Sequence, residues 1–336
     1  MNIREILQKL VRRENLSVEE MQDIFEMLMS GQLDDIQISA FLMGLNCKGF
    51  TSEEIASAAS VMREKVTKIP INVQAADNCG TGGDGISTFN ISTTAAIIAA
   101  GAGAYLAKHG NRSNTRHSGS AEVLAALGVN IDADVNTVAK CIEQAHIGFC
   151  FAIKLHPAMK FAADVRKTIG IPTIFNLLGP LTNPAGVKRQ VIGVPKDDLT
   201  ETIAWALKYL GAERAMIIHG LDGLCDISIT EPTKISELQD DVITTYIITP
   251  DELGISPAPI EELLINSPEE SAQIVENILS GRHFPPRDIA AINAAAVLVV
   301  TDIAKNLQEG LQLAYESIDS GSARKALDKL IEISNS

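Results

Sequence analysis

The segment Cys79-Gly80-Thr81-Gly82-Gly83-Asp84-Gly85, continued by Ser87-Thr88-Phe89-Asn90-Ile91-Ser92-Thr93-Thr94 and an alanine-rich run, decides how this chain is read. Four glycines within six positions let the backbone approach an anion closely and adopt φ > 0. The hydroxyls of Ser92 and Thr93 stand where an N-cap is expected. A glycine loop feeding a helix N-terminus is a phosphate cradle, because unpaired N–H groups and the helix dipole converge on one spot. A lone glycine run is more often a tight turn before a capped helix; loop, amide and hydroxyl run, and cap together favour the cradle. The spacing is neither the G-x-G-x-x-G of dinucleotide-binding folds nor a P-loop, since no G-K-[ST] follows.

Outward from this loop, short Val/Ile/Ala-rich segments alternate with helical stretches and glycine turns, the pattern of a mostly parallel sheet. Strands are expected at Ala104 to Ala107, Ile147 to Ile153, Gln190 to Val194, Ala215 to His219 and Val242 to Ile247, with a buried strand leading into the glycine loop. Helices are expected at Thr93 to Ala100, Ala121 to Leu127, Val135 to Gln144 and Leu199 to Leu210, and the C-terminal stretches Asp288 to Ile318 and Ala323 to Ile333 are helical by composition. Pro257 to Pro259 and Pro285-Pro286 read as loops. The first seventy residues read as helices. Ser17 with Glu20 and Thr51 with Glu54 have capping-box spacing, and Gly31 and Pro70 are plausible stops.

The chain has 336 residues, with 42 acidic against 28 basic and a formal net charge of −14. That length suggests two domains or one large α/β domain with an appendage. The acidic balance argues against a general nucleic-acid binder, which draws on clustered Lys and Arg. Five scattered cysteines without a C-x-x-C pair fit reduced thiols and a cytoplasmic location. The N-terminus lacks the apolar core of a signal peptide, and no apolar run reaches the roughly 20 residues of a membrane span.

Three more segments carry chemistry. Lys108-His109-Gly110-Asn111-Arg112-Ser113, followed by Ser118-Gly119-Ser120, places a point charge and a guanidinium fork at a strand's carboxyl end, where open α/β sheets bind ligands. Its plain alternative is a solvated basic turn, and His109 alone would more often be structural. Arg166-Lys167-Thr168-Ile169-Gly170 runs on to Thr173-Ile174-Phe175-Asn176-Leu177-Leu178-Gly179-Pro180-Leu181-Thr182-Asn183-Pro184-Ala185, whose Gly-Pro and Asn-Pro pairs force a rigid crossing. His219-Gly220-Leu221-Asp222-Gly223-Leu224-Cys225-Asp226 sets carboxylates beyond a strand, suited to Mg²⁺ held jointly with substrate phosphates; a single Asp in a turn is more often a cap.

Together, in order and spacing, these segments resemble the anthranilate phosphoribosyltransferase family over essentially the whole chain. The resemblance implies a small N-terminal helical domain over residues 1–70, joined by helices within about 157–185, and an α/β catalytic domain over 71–336 with a mainly parallel central sheet. It implies transfer of the phosphoribosyl group of 5-phosphoribosyl 1-diphosphate to the amine of anthranilate in tryptophan biosynthesis, with Mg²⁺, in a homodimer formed through the helical domain. By position, Gly80, Thr81, Gly83, Asp84, Thr88, Asn90, Ile91, Ser92, Thr93, Lys108, Arg112, Arg116 and Ser120 would meet the phosphoribosyl diphosphate. Gly80, His109, Asn111, Arg166 and Pro180 would form the anthranilate site, and Ser92 and Asp226 would hold the metal.

The chain also departs from the family pattern. Cys225-Asp226 stands where the family carries Asp-Glu, so one carboxylate is missing and the second metal site is expected to be weak or to recruit Asp222. Thiol is a poor ligand for a hard ion. Asn114-Thr115-Arg116-His117 replaces a small, hydroxyl-rich run, and Asn78 puts an amide in the buried strand. Competing readings are a phosphoribosyltransferase with another aromatic acceptor, a pyrimidine nucleoside phosphorylase-like enzyme, and a non-catalytic nucleic-acid-binding relative.

Overall fold

A computed structural model describes residues 2–113 and 116–336. The chain opens with α1 (Ile3–Val11), α2 (Val18–Met29), α3 (Asp35–Lys48) and α4 (Ser52–Lys65). Both expected capping boxes form, at Ser17/Glu20 and Thr51/Glu54, and Gly31 takes the left-handed conformation just past α2. There follow β1 (Ala76–Gly80), α5 (Ile91–Gly101), β2 (Leu106–Gly110), α6 (Ser120–Ala126), α7 (Val135–Ala145) and β3 (Ile147–Phe151). Next come the short α8 (Ala152–Leu155), α9 (Lys160–Ile169) and α10 (Ile174–Leu178), then β4 (Arg189–Gly193), α11 (Leu199–Tyr209) and β5 (Arg214–Gly220). The chain closes with β6 (Thr233–Gln239), β7 (Val242–Ile248), α12 (Pro268–Leu279), α13 (Pro285–Val300), α14 (Leu307–Asp319) and α15 (Ser322–Ser334).

The strands form one sheet of order β3-β2-β1-β4-β5-β6-β7, parallel from β3 to β5 and antiparallel beyond. Successive strands move outward one way from β1 to β3 and the other way from β4. The crevice at the carboxyl ends of β1 and β4 is therefore the topological switch point, where such sheets take ligands. Gly80 and Gly193 are paired there. Alternate side chains of β5 serve two cores: Met216 and Ile218 join α5 and α13, while Ala215 and Ile217 join α11 and the N-terminal helices. Ala162 and Val165 of α9 and Ile174 and Phe175 of α10 complete the N-terminal core.

Several expectations need correction. The second strand begins two residues and ends three residues later than expected, so Lys108 and His109 are inside it rather than beyond it. Ile153 belongs to α8, not to β3, whose five residues are all buried. Pro285 and Pro286 open α13, where a missing N–H costs nothing. The single C-terminal stretch from Asp288 is two helices, broken between Val300 and Leu307. The helix after the glycine loop is N-capped by Asn90, not by Ser92 or Thr93, and Asn90 caps without a side-chain hydrogen bond.

Candidate active site

The switch point is made of close backbone approach. A Cβ on Gly193 would fall 1.7 Å from the Cys225 carbonyl oxygen, so the turn after β5 lies directly on the end of β4. Thr81 N–H donates to Gly193 O at 2.9 Å, which fixes the start of the glycine loop, and Gly82, Gly83 and Gly85 all take positive φ.

Asn78, unexplained at the level of sequence, now has a clear part. Its Nδ2 donates to Ser92 O at 2.7 Å, and its own carbonyl accepts from Lys108 Nζ at 2.6 Å. Asp77 beside it is fully buried and accepts from His109 N–H, Asn183 Nδ2 and Cys79 Sγ. Burial pushes the Asp77 carboxyl upward, against the pull of Lys108 and these donors. Asn183 of the Asn-Pro pair also donates to Ala107 O at 2.7 Å, so it knots the crossing to β1 and β2 at once.

Lys108 is only 1% exposed, and burial lowers its pKa, opposed by the nearby carboxylate of Asp77. Its Nζ lies 3.5 Å from Ser92 Oγ. The expected point charge presented openly to phosphate is thus an enclosed ammonium whose field reaches the cleft through Ser92 and the first turn of α5. Thr88 and Thr93 are buried with hydroxyls that find no partner among the described residues. Ile91 is buried at the start of α5. The Asn90 side chain is engaged internally, accepting from Ser118 Oγ at 2.7 Å and Ser271 Oγ at 2.8 Å.

Asp84 in the loop is bridged by Arg116, whose Nε donates at 2.8 Å and whose Nη2 is also paired. The two halves of the cleft mouth are thereby tied. Arg112 is instead exposed, 3.9 Å from Glu122 and over the Phe151 ring. Asn111 is exposed as well, and its Oδ1 accepts from Arg112 N–H. Ser120 begins α6 and packs closely behind Gly110. Asn114 and Thr115 lie outside the described residues, and His117 is exposed beside Ser87.

Asp226 and Ser92 line one small cavity, of about 10 Å³, with Asn78, Cys79, Cys225 and Asn293. Asn78 Oδ1 is buried there without a partner, and no hydrogen bond or ion pair to Asp226 is found among the described residues. Burial raises the Asp226 carboxyl to about 7, moderated by Arg116 and Lys108. A carboxylate, a hydroxyl and an orphan amide oxygen are hard donors and suit Mg²⁺. Cys225 does not suit it: burial pushes its thiol up to about 12. Asp222 is committed to its turn, accepting from Ser228 Oγ at 2.5 Å, Leu224 N–H at 3.1 Å and Thr230 Oγ1. Recruiting it to a metal would unmake that turn.

On the other side of β2, His109 is 5% exposed and contacts Gly179 O, while Pro180 O accepts from buried Gln190 at 2.7 Å. Arg166, on α9, lies over the Phe175 ring and has no acidic partner among the described residues. Burial lowers its pKa, and an anion arriving there would be its counter-charge. His156, Asn183, Gln190, Ser118 and Ser271 carry no assignment in the sequence reading. Asn183 had a local signal in the Asn-Pro pair and Ser118 in the Ser-Gly-Ser run; the other three had none.

An N-terminal helical layer on an α/β sheet, with a glycine loop at the switch point, is the domain pairing of the glycosyl transferase family. Two family models agree: the helical bundle domain of the glycosyl transferase family matches residues 4–66, and its a/b domain matches residues 72–324. The anthranilate phosphoribosyltransferase of Acetivibrio thermocellus is 48% identical over 335 residues, covering 99% of this chain and 97% of that protein. The Thermus thermophilus enzyme of the same name superposes with a TM-score of 0.93 at 36% identity, covering 98% of this chain and 99% of that one. The Saccharomyces cerevisiae anthranilate phosphoribosyltransferase in complex with PRPP and Mg gives a TM-score of 0.90 at 29% identity, covering 99% and 98%. The chain belongs to the anthranilate phosphoribosyltransferase family.

Proposed function

We infer that the chain transfers the phosphoribosyl group of 5-phosphoribosyl 1-diphosphate to the amine of anthranilate, giving N-(5-phosphoribosyl)anthranilate and diphosphate in tryptophan biosynthesis. Two unlike features of the chain support this reading, one at the switch point and one on α9. One is a glycine cradle backed by buried Lys108, and the other is an unpaired Arg166 over an aromatic ring.

The aromatic amine is neutral at pH 7 and nucleophilic, so the load falls on the leaving group. N–H groups of the glycine loop and of the first turn of α5 receive the phosphates, with the Lys108 charge behind them. Arg116, already at the mouth, is within reach of an entering diphosphate that competes with Asp84. Ser92 and Asp226 would hold Mg²⁺, with Asn78 lining the same cavity. When bound, the ion supplies positive charge to the departing diphosphate. Arg166 pins the anthranilate carboxylate, with Asn111, Gly80, His109 and Pro180 around the ring, and so orients the amine toward the ribose.

The direct test is incubation with both substrates and Mg²⁺ while following loss of anthranilate fluorescence. No loss under saturating phosphoribosyl diphosphate, alongside turnover of another aniline, would sink the acceptor assignment. The metal assignment is tested by magnesium titration of wild type and Cys225→Asp. A restored carboxylate should shift the curve to lower magnesium, and identical curves would remove the idea that Cys225 weakens a second site.

Homodimerisation through the helical face is part of the same reading. It is supported by Val11 and Ile36, which are 84% and 81% exposed on α1 and α3. Sedimentation at micromolar concentration would show a dimer that Val11→Glu/Ile36→Glu converts to monomer. No helix is long and apolar enough to cross a membrane among the described residues, and a cytoplasmic location fits five unpaired thiols.

A further inference from the structure

We propose that His156 is a positioning residue for the acceptor site: it donates to His109, locks that imidazole in one tautomer, and thereby fixes the Gly179-Pro180 wall. This rests on the acceptor reading given above. The geometry leaves one assignment of protons. Gly179 O can only accept, so the His109 Nδ1 that lies 3.1 Å away carries the hydrogen. His109 Nε2 is then a lone pair, and His156 Nε2, 3.0 Å from it, must be the donor. The chain of donation runs from the residue after α8, through β2, to the residue after α10.

Both rings are enclosed, at 5% and 8% exposure, with centroids 5.0 Å apart. The groups around His109 from the neighbouring strands are Asp77 on β1, Lys108 on β2 and Cys150 on β3. Burial holds both imidazoles neutral, His109 down to about 3 and His156 to about 4. Two consequences follow. His109 has no lone pair free to take a proton from the amine, so it is not a general base. The Gly179 carbonyl, which also accepts from Thr182 Oγ1 at 3.1 Å, loses its fixed anchor to β2 if the relay is cut.

The spectroscopic test uses full-length protein labelled with ¹⁵N-histidine. His109 should show a protonated Nδ1 and His156 a protonated Nε2, with neither titrating above about pH 5. A protonated Nε2 on His109, or titration near the ordinary histidine value, overturns the proposal. The kinetic test compares His156→Phe, which keeps a ring and removes the donor, with His156→Gln, whose amide can replace the Nε2 donor. The Phe variant should raise the anthranilate KM about tenfold with kcat and the phosphoribosyl diphosphate KM within about twofold, and Gln should recover most of the loss. Equal behaviour of the two variants, or parallel change in both KM values, overturns it. If wild type leaves anthranilate untouched, the acceptor reading fails by itself. The nitrogen shifts of wild type and of His156→Gln still decide the relay, including where the Phe variant does not fold.

Discussion

The two groups of residues proposed for the two substrates are built on opposite electrostatic plans. At the diphosphate end the charges are internal and mutually compensated: Lys108 beneath Asn78 and Ser92, Asp77 against Asn183 and His109 N–H, Asp84 against Arg116. Among the residues proposed for the acceptor, Arg166 is a cation without an acidic partner among the described residues, and His109 with its neighbour His156 is neutral. Such a difference suits the ligands. A highly anionic donor needs fixed dipoles and a rigid frame, while a monoanionic aromatic needs one specific counter-charge in a half-buried, largely neutral pocket. A chain of net charge −14 cannot steer anions by its overall field, so local placement of its few cations decides where they bind.

The largest effect should come from breaking the compensated end. Lys108→Met leaves Asp77 and Asp226 buried without their nearest enclosed cation, and removal of one partner from a buried charge set costs about 3–5 kcal/mol. Urea unfolding of the variant should show that loss together with inactivity. A stability change below about 1 kcal/mol would mean that Lys108 does not neutralise these carboxylates.

The neutral histidines predict acid sensitivity at the other end. Unfolded histidine has an ordinary pKa of 6.5, whereas folded His109 and His156 lie near 3 and 4. Between those limits the unfolded chain binds more protons, so their contribution is fully present above pH 6.5 and is lost as pH falls toward about 4. The pair should account for a few kcal/mol over that window, at roughly 1.4 kcal/mol per unit. Unfolding curves at pH 7 and pH 5 for wild type and His156→Gln should converge in acid. Parallel curves would mean that these rings are not buried neutral.

These contrasts also explain what could be read without coordinates. The glycine loop, the Lys-His-Gly-Asn-Arg run and the Asn-Pro crossing announce themselves because each needs particular residue types in sequence. The register of β2 did not, since Ala104 and Tyr105 are as apolar as the strand itself and only pairing with β3 sets its limits. β6 escaped the reading because it is antiparallel and interrupts its buried residues with the half-exposed Lys234 and Glu237 instead of running apolar. The uses of Asn78, Gln190 and His156 depend on partners on other elements, which no local pattern reports.

Arg166→Ala tests the single-cation end most simply. A charged hydrogen bond contributes about 1.5–3 kcal/mol, so kcat/KM for anthranilate should fall roughly 10- to 100-fold while the phosphoribosyl diphosphate KM stays near wild type. Arg166→Lys should fall between, because an ammonium lacks the planar fork. If both KM values rise together, the acceptor carboxylate is held elsewhere.

The smallest effect separates the rim from the frame. Arg116 is 21% exposed in its side chain while the Asp84 side chain it pairs with is enclosed, so the pair lies between a surface pair and a buried one and its loss costs about 1–3 kcal/mol. Arg116→Ala removes a cation from the mouth and leaves the Asp84 carboxylate facing the diphosphate, so both changes act in the same direction. The phosphoribosyl diphosphate KM should rise about three- to fivefold at low ionic strength, and the rise should shrink as salt screens the rim. The anthranilate KM should barely move, and the unfolding midpoint should fall by less than in Lys108→Met. A fall in the diphosphate-side KM would show instead that Arg116 holds Asp84 across the entrance as a competitor of the substrate, and that the compensated charges of that end hinder entry as well as shape it.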